Sequence, residues 1–150
     1  MAGLGAWLLL TFLAPALGAA FMPGEWYAAL SKPSWNPPNW IFGPVWTALY
    51  VMMATAAWLV WRRGGFPARR GPLGLFLVQL ACNAAWTPLF FGLKNPALAC
   101  ADIVLLWLAI LGTLAAFWRV NRFAGALLAP YLAWVSFAAV LNFTLWRLNA

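Results

Sequence analysis

Apolar and polar positions along this chain fall into blocks. Five long stretches lack Lys, Arg and Glu: Gly3 to Met22, Ile41 to Trp61, Pro72 to Leu93, Pro96 to Trp118, and Phe123 to Trp146. Each supplies roughly the 20 residues that a helix rising about 1.5 Å per residue needs to cross a hydrocarbon core of about 30 Å. Connections as short as Lys94-Asn95 force neighbouring spans to pack side by side. The pattern predicts an all-α membrane protein, a five-transmembrane-helix bundle forming a single domain over residues 1–150. The run Ala16-Leu17-Gly18-Ala19 resembles a signal-peptide cleavage site, but no basic residue precedes the apolar stretch, which is read as a span. Pro15, Pro88 and Pro130 lie within spans and are expected to loosen their helices one turn back, near Thr11, Ala84 and Ala126.

Polar residues inside the spans are few, so their spacing is informative. Gln79, Asn83, Trp86 and Thr87 recur at helical spacing on the third span. Similar stripes run through Trp46, Leu49, Tyr50 and Met53 on the second, and through Tyr131, Trp134, Ala138, Leu141 and Asn142 on the fifth. An Asn facing lipid is costly, so these stripes face protein or a cavity. Two readings stand: three aromatic stripes enclosing an apolar pocket with a few orienting polar groups, or polar side chains holding helices together. Asp102 falls about 9 Å below the start of its span and is expected to be a structural, hydrogen-bonded carboxyl. Cys82 and Cys100 lie at depths of about 16 Å and 6 Å on antiparallel neighbours. That mismatch exceeds the reach of a disulfide, and both are expected to be free thiols.

The connection from Pro23 to Trp40 is the longest in the chain. Pro23 to Leu30 can form about two helical turns, with Pro23 at the first position and Glu25 in the first turn. Pro37-Pro38 then holds the approach to the second span extended. From Trp35 to Tyr50 the chain carries three tryptophans, a tyrosine and three prolines. Such a segment serves as a lid over a pocket or as an aromatic belt at the bilayer rim.

Composition narrows the chemistry. Apolar residues make up 66% of the chain and charged ones 7%, with twelve tryptophans and no histidine. Imidazole metal sites, His-based proton transfer and His-ligated haem are thereby excluded. The only acids, Glu25 and Asp102, sit on different elements, which disfavours paired-carboxylate catalysis. The N-terminal compartment, Arg62 to Arg70, and Arg119 with Arg122 carry six basic residues, against Lys32, Lys94 and Arg147 on the other side. In a bacterial inner membrane this bias puts the N-terminus in the cytoplasm and the Trp-rich loop outside. The net charge of +7 fits anchoring in anionic headgroups, with membrane lipid as the partner and no nucleic acid.

Several motifs then occur in order: Trp35-x-Pro37-Pro38-x-Trp40-x-Phe42-x3-Trp46-x2-Leu49-Tyr50, Gln79-x3-Asn83-x2-Trp86-x-Pro88-x-Phe90-Phe91, Pro130-Tyr131-Leu132-Ala133-Trp134, and Leu141-Asn142-Phe143-x2-Trp146-Arg147. Together they closely resemble the translocator protein or tryptophan-rich sensory protein family (TspO/MBR, peripheral benzodiazepine receptor), over nearly the whole chain. The resemblance implies a five-helix membrane protein, usually a homodimer, that binds porphyrins such as protoporphyrin IX, sterols and synthetic isoquinoline or benzodiazepine-type ligands. The ligand pocket is expected under the first loop. Trp46 and Asn83 match positions that hydrogen-bond ligand, while Tyr27, Pro37, Trp40, Tyr50, Trp86, Thr87, Ile103, Trp134 and Ala138 match its walls. The family's sterol motif has a tyrosine where this chain has Phe143, so a porphyrin fits the expectation better than a sterol.

The function implied is a porphyrin-binding sensor or transporter without a cofactor of its own, protoporphyrin IX being the ligand. Two alternatives stay open. One is a light-dependent porphyrin-degrading enzyme with Trp46 and Trp134 as reactive aromatics; the other is a partner that regulates other envelope proteins. A bacterial cell envelope is the expected location, eukaryotic relatives residing in the mitochondrial outer membrane.

Overall fold

The computed structural model describes residues 2–21 and 23–150. In chain order the helices are α1 (Ala2–Gly18), α2 (Glu25–Ala29), α3 (Asn39–Trp61), α4 (Gly65–Ala68), α5 (Arg70–Thr87), α6 (Pro96–Val120), α7 (Arg122–Leu127) and α8 (Ala129–Leu148). A π-helical turn, Pro88–Gly92, continues α5. Four segments are long and apolar enough to cross a bilayer: Asn39–Trp61, Arg70–Gly92, Pro96–Val120 and Arg122–Leu148. α1 is a shorter apolar helix. Large apolar side chains such as Leu9, Leu105 and Val140 point outward, as befits helices solvated by lipid. The chain is a helical membrane protein.

The first predicted span runs past the observed helix, and its last residue, Met22, lies outside the described residues. Beyond Gly18 the backbone tightens into three-residue turns, with Ala20 N donating to Leu17 O and Phe21 N to Gly18 O. α2 is also shorter than the two turns expected. It starts at Glu25, with Gly24 as an N-cap that lends no side chain, so Pro23 stands outside the helix.

Two prolines act differently from expectation. α5 stays α-helical through Thr87; the disturbance lies after Pro88, where Leu93 N reaches back to Pro88 O at 2.8 Å and the winding widens. Pro130 sits in the first turn of α8, where a missing N–H has no ladder partner to lose. The fifth predicted span is therefore two helices that meet at Leu128. Gly125 allows this geometry, because a β-carbon there would lie 2.8 Å from the Trp118 backbone of α6.

α1 packs on α3 and α5, α5 on α6, α6 on α8, and α7 on α3. A β-carbon added at Gly3 would meet the Trp61 ring at 2.5 Å, and one at Gly18 would meet Thr87 Oγ1 at 3.3 Å. α1 thus runs antiparallel to α3, and its start lies at the Arg62–Arg70 end of the bundle. In the core Phe76 stacks on Phe117 and takes the edge of Trp7. Trp107 Nε1 donates to Ser136 Oγ at 2.7 Å, tying α6 to α8. Cys82 and Cys100 are free thiols.

Candidate functional site

The loop between α1 and α3 folds over one end of the bundle and, with Asn39 at the start of α3, forms an open cavity of about 570 Å³. Tyr27 and Ala28 of α2 form one wall, and Asn36 with Pro37-Pro38 forms the other. Pro38 also caps α3 in an extended conformation, so the second wall is stiff. Lys32 lines the same cavity. Its Nζ donates to Tyr27 O at 2.7 Å and Leu30 O at 3.2 Å, which satisfies the open carbonyl end of α2 with a positive charge. The ammonium also lies 4.6 Å from the Tyr27 ring centroid. A latch holds the loop down: Ser31 N donates to Asn149 Oδ1 at 2.8 Å, and Asn149 Nδ2 donates back to Ser31 O at 2.9 Å.

Within the bundle the stripes of α3, α5 and α8 meet. Tyr50 Oη donates to Asn83 Oδ1 at 2.6 Å, Asn83 Nδ2 to Tyr131 Oη at 2.8 Å, and Tyr131 Oη to Gln79 Oε1 at 2.7 Å. Gln79 Nε2 makes a long contact of 3.9 Å to Met53 Sδ. Four buried polar side chains are thus linked across three helices, which is how a polar group becomes affordable in hydrocarbon. Trp46 lies over this chain, tilted on Tyr50 at 5.6 Å and edge-on to Tyr131 at 6.2 Å. A neighbouring aromatic wall joins Phe42, Trp134, Phe137 and Trp35. In that wall Trp134 Nε1 is buried without a hydrogen-bond partner, a donor left open in an apolar setting.

The profile of the TspO/MBR family matches residues 6–147. This chain belongs to the TspO/MBR family. The human translocator protein is 46% identical over 146 residues, covering 91% of this chain and 86% of its own length. The tryptophan-rich sensory protein of Cereibacter sphaeroides is 45% identical over 147 residues, covering 95% and 91%. The tryptophan-rich protein TspO of Chlorobaculum tepidum is 49% identical over 130 residues, covering 85% and 82%.

The TspO/MBR positions named from the sequence fall into distinct settings. Tyr27 and Pro37 line the cavity under the loop. Tyr50, Asn83 and half-buried Trp46 form the interior cluster, although both amide atoms of Asn83 are engaged by tyrosine hydroxyls. Trp86 stacks on Phe90 at 4.9 Å and donates from Nε1 to Asn142 Oδ1 at 2.8 Å. Thr87 faces Gly18. Ile103 is core, Ala138 is half-buried, and Trp40 is 73% exposed beside the loop. Of these positions, Tyr27 and Pro37 are the ones that line the first-loop cavity.

Lys32 and Asn36 line the cavity but were not among the sequence candidates. Tyr131 links Asn83 to Gln79, and its place in the α8 stripe was the signal for it. Asp102 corrects an expectation. It is 9% exposed and, among the described residues, Oδ2 has no hydrogen-bond partner, so the helices packed around it bury the carboxyl without supplying a donor to that oxygen.

Proposed function

We propose that this TspO/MBR protein binds porphyrins such as protoporphyrin IX, and other flat hydrophobic molecules, in the pocket under its first loop and acts as a tetrapyrrole sensor or transporter. The observation that carries this reading is the cavity of about 570 Å³ with Tyr27 and Pro37 in its wall, and the Trp46–Tyr50–Tyr131 aromatic cluster within the bundle supports it. Its volume lies within the range of roughly 300–1,000 Å³ of small-molecule sites. Stacking and hydrogen bonding would hold a metal-free macrocycle. The names of the relatives, translocator protein and tryptophan-rich sensory protein, agree with movement or sensing.

On this reading the protein has five spans, works as a homodimer and resides in a bacterial cell envelope. For α1 as the fifth span, the support is its reach: it meets Trp61 at one end of α3 and Thr87 at the far end of α5. Its 17 residues cover about 25 Å at about 1.5 Å each.

Titrating the detergent-purified protein with protoporphyrin IX while following tryptophan fluorescence tests the proposal. Saturable quenching with one porphyrin per chain is the expected result. Linear, unsaturable quenching would reject it. A porphyrin lost only under illumination would move the assignment to the degrading enzyme.

A further inference from the structure

At the end of the bundle opposite the first loop, a second cavity of about 260 Å³ opens between the C-terminus of α3 and the junction of α6 with α7. Leu59, Arg62, Arg63 and Asn121 line it. Its polar lining consists of donors. Asn121 spends its Oδ1 on capping α7, accepting from Phe123 N at 2.9 Å and Ala124 N at 3.3 Å, which leaves Nδ2 free to donate. Among the described residues no hydrogen bond uses either guanidinium: Arg62 and Arg63 take part through backbone atoms alone, Arg63 N donating to Val60 O at 3.0 Å and its carbonyl accepting from Arg69 Nε at 2.8 Å. That bond pins the turn after α3. Arg62 is held too, its guanidinium 4.7 Å from the Trp58 ring centroid.

Two guanidiniums on one cavity repel unless an anion joins them, and the chain has none to offer there. Its acids are Glu25, on α2 within the first loop, and Asp102, within α6. The depth also fits a particular anion. Exposed Trp61, Trp118, Phe66 and Phe123 ring this end of the bundle, the aromatic signature of the headgroup level, and Leu59 adds an apolar surface. We propose that this cavity binds the phosphate of one anionic phospholipid, with Arg62 and Arg63 as the charged donors and Asn121 Nδ2 as the neutral one. The site is separate from the pocket under the first loop and does not depend on its ligand.

The test titrates the detergent-purified full chain with short-chain phosphatidylglycerol, short-chain phosphatidylcholine or inorganic phosphate, and counts bound molecules by native mass spectrometry. One phosphatidylglycerol per chain should be retained in preference to phosphatidylcholine. Arg62→Gln with Arg63→Gln should weaken that binding about tenfold or more. Arg70→Gln with Arg122→Gln removes the same charge outside the cavity and should change it less than about twofold. Asn121→Asp keeps the cap on α7 but turns its donor into an acceptor, and should also weaken binding about tenfold. Thermal melts without lipid identify any variant that has lost its fold, and Asn121→Asp then decides for the arginine pair. Equal losses in the two arginine pairs would mean diffuse attraction and overturn the site. Retention of inorganic phosphate as strong as that of phosphatidylglycerol would overturn the lipid assignment, and so would the absence of stoichiometric binding.

Discussion

Tyr50 and Asn83, 33 residues apart in sequence, are joined by a 2.6 Å hydrogen bond in which the buried phenol donates to the amide oxygen. The amide nitrogen of Asn83 donates in turn to Tyr131, so one side chain bridges α3 and α8 from its place on α5. Asn83→Ala strands the buried Tyr50 hydroxyl and takes from Tyr131 one of its two hydrogen bonds, whereas Tyr50→Phe leaves only the Asn83 oxygen unpaired. Asn83→Ala should therefore destabilise more, by about 1 kcal/mol. A cycle combining both changes should give a coupling of about 0.6 kcal/mol, the usual size in membranes. Denaturation in mixed micelles measures both, and additive effects would mean that the bond contributes nothing.

Trp46 separates binding from folding. Its ring packs on Tyr50 and Tyr131, while its Nε1 has no hydrogen bond to Asn83, whose amide is already engaged. Trp46→Phe should keep the packing and leave the melting temperature within a few degrees of the parent. Porphyrin affinity should fall about three- to tenfold through loss of the indole donor. A variant that melts much earlier yet binds normally would assign Trp46 to packing alone.

The latch between Ser31 and Asn149 consists of two hydrogen bonds at the exposed edge of the lid. Asn149→Ala removes both and should cost about 1–2 kcal/mol locally with little effect on global stability. Hydrogen exchange in residues 25–31 should speed up about fivefold or more, and bound porphyrin should dissociate faster. Unchanged exchange would show that Lys32 and the prolines hold the lid unaided.

Since α1 begins beside Trp61, the proposed five spans put the start of α1 and the Arg62–Arg70 turn on one side of the membrane, opposite Ser34. In a background free of Cys82 and Cys100, Ala68→Cys and Ser34→Cys should be labelled from opposite faces by an impermeant maleimide. Labelling of both from the same face would contradict this topology.

Long apolar blocks made the helical membrane class legible, and helical spacing placed Gln79, Asn83 and Tyr131 on inward stripes. Their buried positions follow from the cost of an amide or a hydroxyl in lipid, which depends on local chemistry alone. The break at Leu128 was hidden for the opposite reason. Pro130 reads the same in the middle of a helix as at its start, and only the close crossing of Gly125 on Trp118 decides between them. The cavity wall was partly hidden too: Lys32 reads as a loop cation until α2 ends beside it with open carbonyls. Trp40 stands apart: its motif points to a pocket wall, and its ring is exposed beside the loop.

The Ser31–Asn149 pair also sets an order of assembly. These partners lie 118 residues apart, so during synthesis the lid is made early and waits for α8 before it can be fastened. Until then the cavity has a roof without a clasp. A chain stalled before its last helix should present the Trp-rich segment to proteases and to greasy molecules alike, so under the proposed function loading of the pocket belongs to a chain with α8 in place.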